Sequence, residues 1–299
     1  MESKRYNLVF LHKNQEIFGF RSYVFSNGGI LAHSNSGRIH SNARGKGVWK
    51  VVMELAKNYI LDHFPSVTHF ISAIADHDMT DDQVSSPKHG KLLTKKSSMV
   101  IDDDFYTIDS KLTANAKDII PENQFNFLTK EMFQHLLRSP SFSKEYLENG
   151  VLCLERYPYF LADEDALQAL LNQKSCVLLE GSEEDDMKSL SILSPIFIEN
   201  VGGHRSALNM FFPKSRAYEG SIGSSVSKHI TLQIRKLMDT KSTLDRPHWL
   251  EIFAQERVID VVLNLMQGKN MEKDIEYFVN NKRGRSYDTV YIYLKTKCS

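Results

Sequence analysis

The chain has 299 residues, 41% of them hydrophobic and 25% charged, with 37 basic side chains balanced by 37 acidic ones. That is the make-up of a globular protein with room for two ordinary domains, not of a disordered chain or a densely basic nucleic-acid binder. No apolar run reaches membrane-spanning length, and Glu2, Lys4 and Arg5 do not make a secretory signal, so we expect no membrane association and a cytoplasmic or nuclear location.

Residues 6–12 and 16–25 are rich in aromatic and aliphatic side chains and are separated by the polar turn Lys13, Asn14, Gln15. Asn27, Gly28 and Gly29 give a second hairpin signal, so the chain opens as strand, hairpin, strand, hairpin, strand. Residues 42–50 then read N-A-R-G-K-G-V-W-K. Gly45 and Gly47 allow a tight turn and close backbone approach, and Arg44 and Lys46 raise the local positive potential. The next segment is a predicted helix, with Val48, Val52, Leu55 and Tyr59 forming an apolar stripe widened by Val51 and Ile60. Its unpaired N-terminal N–H groups point back at the turn, which makes this a phosphate-holding arrangement.

Two familiar nucleotide motifs do not fit. A P-loop reads G-x-x-x-x-G-K-[ST], but Lys46 is followed by Gly47. A Rossmann turn reads G-x-G-x-x-G, but Gly47 is followed by Val48, Trp49 and Lys50.

Residues 68–75 and 92–101 are strand candidates, and the polar stretch between about 105 and 122 reads as a linker. Beyond it, Thr129 starts a helix carrying Met132, Phe133, Leu136 and Leu137, and Asp163 caps another with Leu167, Leu170 and Leu171. Residues 176–179 are a buried strand candidate and the acidic run 180–186 a solvated loop. Residues 207–212 read as a strand. Residues 227–239 read as a helix with Ile230, Ile234, Leu237 and Met238 inward, and 249–266 as a further helix. Residues 288–294 alternate as a strand that closes the sheet. Cys153, Cys176 and Cys298 are odd in number and far apart, so neither a disulfide framework nor a metal site is expected.

Charge is uneven along the chain. Residues 1–100 hold 13 of the 37 basic and 8 of the 37 acidic side chains, a bias that suits a phosphate-bearing small molecule.

The glycine turn in its hairpin-to-helix setting resembles the acetyl-CoA signature [Q/R]-x-x-G-x-[G/A] of the GNAT superfamily of acetyltransferases, with Asn42, Gly45 and Gly47 at its defined positions. The longer stretches G-R-I-H-S-N-A-R-G-K-G-V and K-N-Q-E-I-F-G-F are similar to the vertebrate histidine N-acetyltransferases and their close paralogue. The resemblance implies an α/β fold of the α+β kind: a GNAT-like mixed sheet flanked by helices, short of the first strand and two helices at its start. It implies an incomplete acetyl-CoA-binding domain at 1–105 and a second α/β domain at 122–299, a degenerate GNAT-like partner. Ile39, Asn42, Arg44, Gly45, Lys46, Gly47, Val48 and Trp49 would surround the CoA pyrophosphate. Acetyl would pass from acetyl-CoA to the amine of a small molecule, histidine or a related amino acid.

The sequence departs from the family pattern in its proton-handling residues. Asn35 stands where a carboxylate base is common, and Gly90 where a tyrosine commonly protonates the thiolate. Imidazoles are the substitutes, foremost His33 and His89, with His40 and His77 behind them. The alternative is a non-catalytic acyl-CoA-binding or regulatory protein. Composition leaves the oligomeric state undecided.

Overall fold

The computed structural model describes residues 5–11, 16–26, 29–75, 84, 86, 89–101, 122–155, 157–181, 187–198, 203–214, 222–240, 248–266 and 288–296. His77, most of the linker, the acidic run beyond Gly181 and Cys298 lie outside them.

The opening hairpins form as expected. Strands β1 (Arg5–Leu11), β2 (Ile17–Ser26) and β3 (Leu31–Ile39) make an antiparallel meander. Helix α1 (Val48–His63) then crosses to β4 (His69–Ala75), which runs parallel to β3. Strand β5 (Lys91–Ile101) completes the first half.

The second half begins with β6 (Phe125–Phe127) and three short helices, α2 (Lys130–Leu137), α3 (Pro140–Tyr146) and α4 (Glu164–Leu171). Side-chain oxygens start all three: Thr129 accepts from the Met132 N–H, Ser139 from Phe142 and Asp163 from Ala166. Between α3 and α4 lies a separate hairpin, β7 (Val151–Leu154) and β8 (Tyr157–Phe160). Strands β9 (Cys176–Glu180), β10 (Ser189–Ile198) and β11 (Gly203–Phe211) form another meander. Helix α5 (Ile222–Thr240) crosses to the parallel strand β12 (His248–Ala254), followed by α6 (Glu256–Met266) and β13 (Asp288–Thr296). Among the described residues, no helix is long and apolar enough to cross a membrane.

Among the described residues, all strands except the β7–β8 hairpin join one mixed sheet in the order β1-β2-β3-β4-β13-β5-β12-β11-β10-β9-β6. Each half therefore contributes a meander and a helix-linked parallel pair, and the two halves exchange their last strands at the centre. β13 pairs with β4, and β5 pairs with β12. Residues 288–294 close the sheet, as their alternation predicts, but they do so within the first half.

Period-two alternation assigns the layers. Helices α1, α5 and α6 cover one face. There Ala56 and Ile60 pack on Tyr23, Phe25 and Ala32, while Ile230, Ile234, Val258 and Val262 pack on Met99, Leu208 and Ile252. Helices α2 to α4 and the β7–β8 hairpin cover the other face.

Two expectations are corrected. Residues 249–266 are not one helix: β12 alternates Glu251 and Phe253 with Leu250, Ile252 and Ala254, and the helix begins only at Glu256. A strand paired on both sides and covered on both faces is apolar at successive positions, which imitates a helical stripe over a few residues. On α1 the inward face is Val52, Ala56 and Ile60, leaving Val51, Leu55 and Tyr59 roughly half exposed. The small side chain of Ala56 lets the helix approach the sheet, so the buried stripe is centred away from the bulkiest residues.

A buried polar chain fixes α5 against the sheet. Ser189 Oγ donates to the Glu180 carboxylate at 2.5 Å, so it must accept from His229 Nε2 at 2.7 Å. His229 Nδ1 then accepts from Ser191 Oγ at 2.8 Å, and Ser191 Oγ in turn accepts from Gln233 Nε2 at 3.0 Å. Burial pushes the His229 pKa down to about 3, keeping the ring neutral.

Candidate functional site

Strands β3 and β4 are hydrogen-bonded only from Leu31↔His69 to Ser34↔Ser72. Beyond that point β3 continues to Ile39 along β2, and β4 continues to Ala75 along β13, without pairing to each other. Their facing edges therefore form a wedge lined by backbone N–H and C=O groups that the sheet does not satisfy. The corresponding parallel pair of the second half stays closed: β11 and β12 pair from His204↔His248 to Asn209↔Phe253, nearly to the ends of both strands.

The β3 side of the wedge runs into the glycine turn. A short 3-10 turn, Ser41–Ala43, is started by His40, whose Nδ1 accepts from the Asn42 N–H at 3.4 Å. Arg44 Nε donates to the Ile39 carbonyl at 3.2 Å and ties the turn to the end of β3. Gly45 and Gly47 have φ of 74° and 70°, the left-handed region that favours glycine, and a Cβ on either would meet nothing within 4 Å. The backbone is thus bent around open space.

Unlike α2, α3 and α4, helix α1 has no side-chain cap, and no acidic residue lies in its first turn. Its leading N–H groups and the positive end of its dipole face that space, beside exposed Arg38, Arg44, Lys46 and Lys50. Ile39, Asn42 and Arg44 to Trp49 occupy one continuous stretch from the end of β3 to the first turn of α1. The arrangement can hold a phosphate-bearing ligand at the turn and an extended arm in the wedge.

Arg21 joins this site although sequence reasoning did not select it. Its guanidinium lies 5.2 Å from the Trp49 ring and 5.8 Å from the Tyr23 ring, and its Nε is buried without a hydrogen-bond partner among the described residues. Burial lowers its pKa, with Tyr23 acting in the opposite direction. The available signal is a cation in the middle of a strand rich in aromatic and aliphatic residues. Gly37 makes the stack possible, because a Cβ there would come within 2.4 Å of the Trp49 ring and 2.9 Å of the Arg21 guanidinium. In a Trp249→Phe background, Gly37→Val should displace the indole, shift Trp49 emission to longer wavelength and weaken any ligand response at the turn.

The candidate imidazoles are not brought together. His33 is buried on the face away from α1, with its ring 6.1 Å from Tyr157. Its Nε2 is 2.6 Å from Ser26 Oγ, its Nδ1 has no hydrogen-bond partner among the described residues, and burial pushes its pKa down to about 4. His89 lies 5.4 Å from the Tyr293 ring, on the face that carries α1. Gly90 has φ of 95°, and a Cβ there would be 2.4 Å from the Leu294 carbonyl oxygen, so no side chain fits where the family pattern has a tyrosine. The side chain of Asn35 lies outside the described residues. Among the described residues, no cluster of three or more His, Cys, Asp or Glu side chains could hold a metal ion.

No family model matches the chain, and no curated protein matches it either. Among solved structures it is similar to a tandem GNAT protein from the clavulanic acid biosynthesis pathway, determined without acetyl-CoA, at 9% identity and a TM-score of 0.49, over 98% of this chain and 83% of that one. A GCN5-related N-acetyltransferase from Sphaerobacter thermophilus follows at 10% identity and 0.47, over 97% and 80%. Saccharomyces cerevisiae N-myristoyltransferase with bound myristoyl-CoA has 8% identity and 0.46, over 95% and 65%. Likenesses at this level carry no functional argument, which rests on the geometry of this chain.

Proposed function

We propose that this chain is an acetyl-CoA-dependent N-acetyltransferase that passes acetyl to the amine of a small molecule, histidine or a related amino acid. The observation that carries the reading is the β3–β4 wedge opening directly onto the Gly45–Gly47 turn at an uncapped helix start. The wedge suits an extended amide-bearing arm, and the turn suits a diphosphate. Charge-assisted hydrogen bonds contribute about 1.5–3 kcal/mol each, so three or four from the backbone would supply much of a micromolar affinity. The resemblance of the flanking stretches to histidine N-acetyltransferases motivates the acceptor.

On this reading residues 1–105 carry the cofactor turn and 122–299 form an α/β partner. The partner lends β13 to the first half and receives β5 in exchange. The amine attacks the thioester carbonyl carbon, the C–S bond breaks, and the thiolate takes up the proton that the amine loses. Holding amine and thioester together offsets about 7 kcal/mol or more of the barrier in well-oriented cases. His33, held neutral, is suited to hydrogen-bonding a reacting group, and His89 is the other imidazole candidate.

The test is to incubate pure protein with acetyl-CoA and a panel of amino acids while following free thiol, and to compare acetyl-CoA with ATP by calorimetry. Turnover with one amino acid supports the enzyme. Equal affinity for ATP and acetyl-CoA removes the assignment. A second reading, a non-catalytic acyl-CoA-binding protein, draws on the lack of room at Gly90 and the depressed basicity of His33, and acetyl-CoA binding without turnover would favour it.

A further inference from the structure

We infer that the β7–β8 hairpin, supplied by the second half, is the acceptor wall of the first half's wedge, and that Tyr157 positions an amine bearing an apolar or flat group. The inference rests on the transferase reading above.

The two faces of the wedge are covered differently. Helix α1 packs on one, and on the other Cys153 and Phe160 of the hairpin pack on Ile71, Leu93 and Ile292 of β4, β5 and β13. The hairpin and its approach are fastened on the β5 and β11 side. Asn149 Nδ2 donates to the Leu93 carbonyl at 2.5 Å, and Glu148 accepts from Thr94 Oγ1 at 2.6 Å and from the Lys95 N–H at 3.3 Å. Buried Lys96 donates to the Cys153 carbonyl at 2.6 Å with its ammonium 4.0 Å from the Phe211 ring, and the Glu155 N–H reaches Asn209 Oδ1 at 2.7 Å. So fastened, the hairpin brings Tyr157 to β3, 6.1 Å from the His33 ring.

His33 stands one residue before Ser34, where the two strands part. Its Nδ1 is buried with no partner among the described residues, and such an unmet hydrogen bond is unfavourable unless a ligand supplies one. A hydrogen-bonding group of an acceptor or thioester at the wedge apex would do so.

The surroundings also select the ligand. Tyr157, Phe160, Ile71 and a neutral imidazole offer contact area but no counter-charge, while the charged groups near the hairpin, Lys96, Glu148 and Glu155, interact with one another and Lys96 and Glu148 hold it in place. A second positive charge on the acceptor would lose its hydration here without a partner.

The test compares 2-phenylethylamine with 1,5-diaminopentane as acceptors for wild type, Tyr157→Ala and Tyr157→Phe, with folding checked by circular dichroism. Tyr157 is only partly buried, so the variants should remain folded. We expect 2-phenylethylamine to be preferred, Tyr157→Ala to raise its KM about tenfold and Tyr157→Phe to retain most of the affinity. The KM for acetyl-CoA should stay within about twofold, since the turn is untouched. Preference for the diamine, or an unchanged acceptor KM in Tyr157→Ala, overturns the wall. Acetyl-CoA bound by wild type without acetylation of any amine overturns it too, whereas failure to bind acetyl-CoA at all would remove the underlying transferase reading.

Discussion

Gly47→Glu should abolish acetyl-CoA binding, weakening it by about a hundredfold or more, while the protein stays folded. The substitution places a carboxylate where the proposed diphosphate meets the start of α1, and juxtaposed like charges at an interface cost several kcal/mol. It also puts a side chain at φ of 70°, where a non-glycine residue costs about 1–2 kcal/mol. A Cβ at Gly47 meets nothing within 4 Å, so no packing clash adds to that strain. Calorimetry would read the affinity and thermal melting the fold. Unchanged affinity in a folded variant would move the ligand away from this turn.

Mild acid should destabilise the protein steeply, through two histidines buried without charge. His229 and His33 have pKa values pushed down to about 3 and about 4 by burial, below the ordinary 6.5. Between those values and 6.5 the unfolded chain binds more protons than the folded one, so stability is fully present above pH 6.5 and is lost as the pH falls. At pH 5 each histidine costs about 2 kcal/mol relative to neutral pH, about 4 kcal/mol together. Urea titrations at pH 7 and pH 5 would measure the loss. His229→Gln should lower stability at pH 7 by about 1–3 kcal/mol by breaking the Ser189–His229–Ser191 chain, and should roughly halve the acid-dependent loss. A variant with the wild-type pH dependence would place the proton uptake elsewhere.

What the sequence makes legible is local. The opening meander, the turn and α1 follow one another with short connections, and each has its own signal: alternation, paired glycines, then an apolar stripe. The helix caps at Thr129 and Asp163 are equally local, since each side chain bonds an N–H three residues on. Strands β7 and β8 carry no readable signal, because strands of four residues are too short to show alternation. Helix α1 was placed correctly but rotated, since apolar residues cover more than half its circumference and only the sheet decides which of them go inward.

The candidate site divides in the same way. Residues of the turn can be read directly, because φ-positive glycines and adjacent cations announce themselves. Arg21 and Tyr157 cannot, for they reach the site through pairing and packing between distant segments. The parting of β3 from β4 after Ser34 and Ser72 is likewise a tertiary property. Strand exchange at the centre was invisible for the same reason: nothing in residues 288–296 says that they belong between β4 and β5.

That exchange sets the order of events on the ribosome. Strand β4 has an open edge until β13 is translated, so the nascent chain must carry that edge unpaired through the synthesis of every element between the two. Pairings so distant in sequence form slowly, and an unprotected strand invites pairing with other chains in the meantime. Expression at lower temperature or with chaperone assistance should accordingly raise the yield of correctly folded protein far more than it would for two halves that each closed their own sheet.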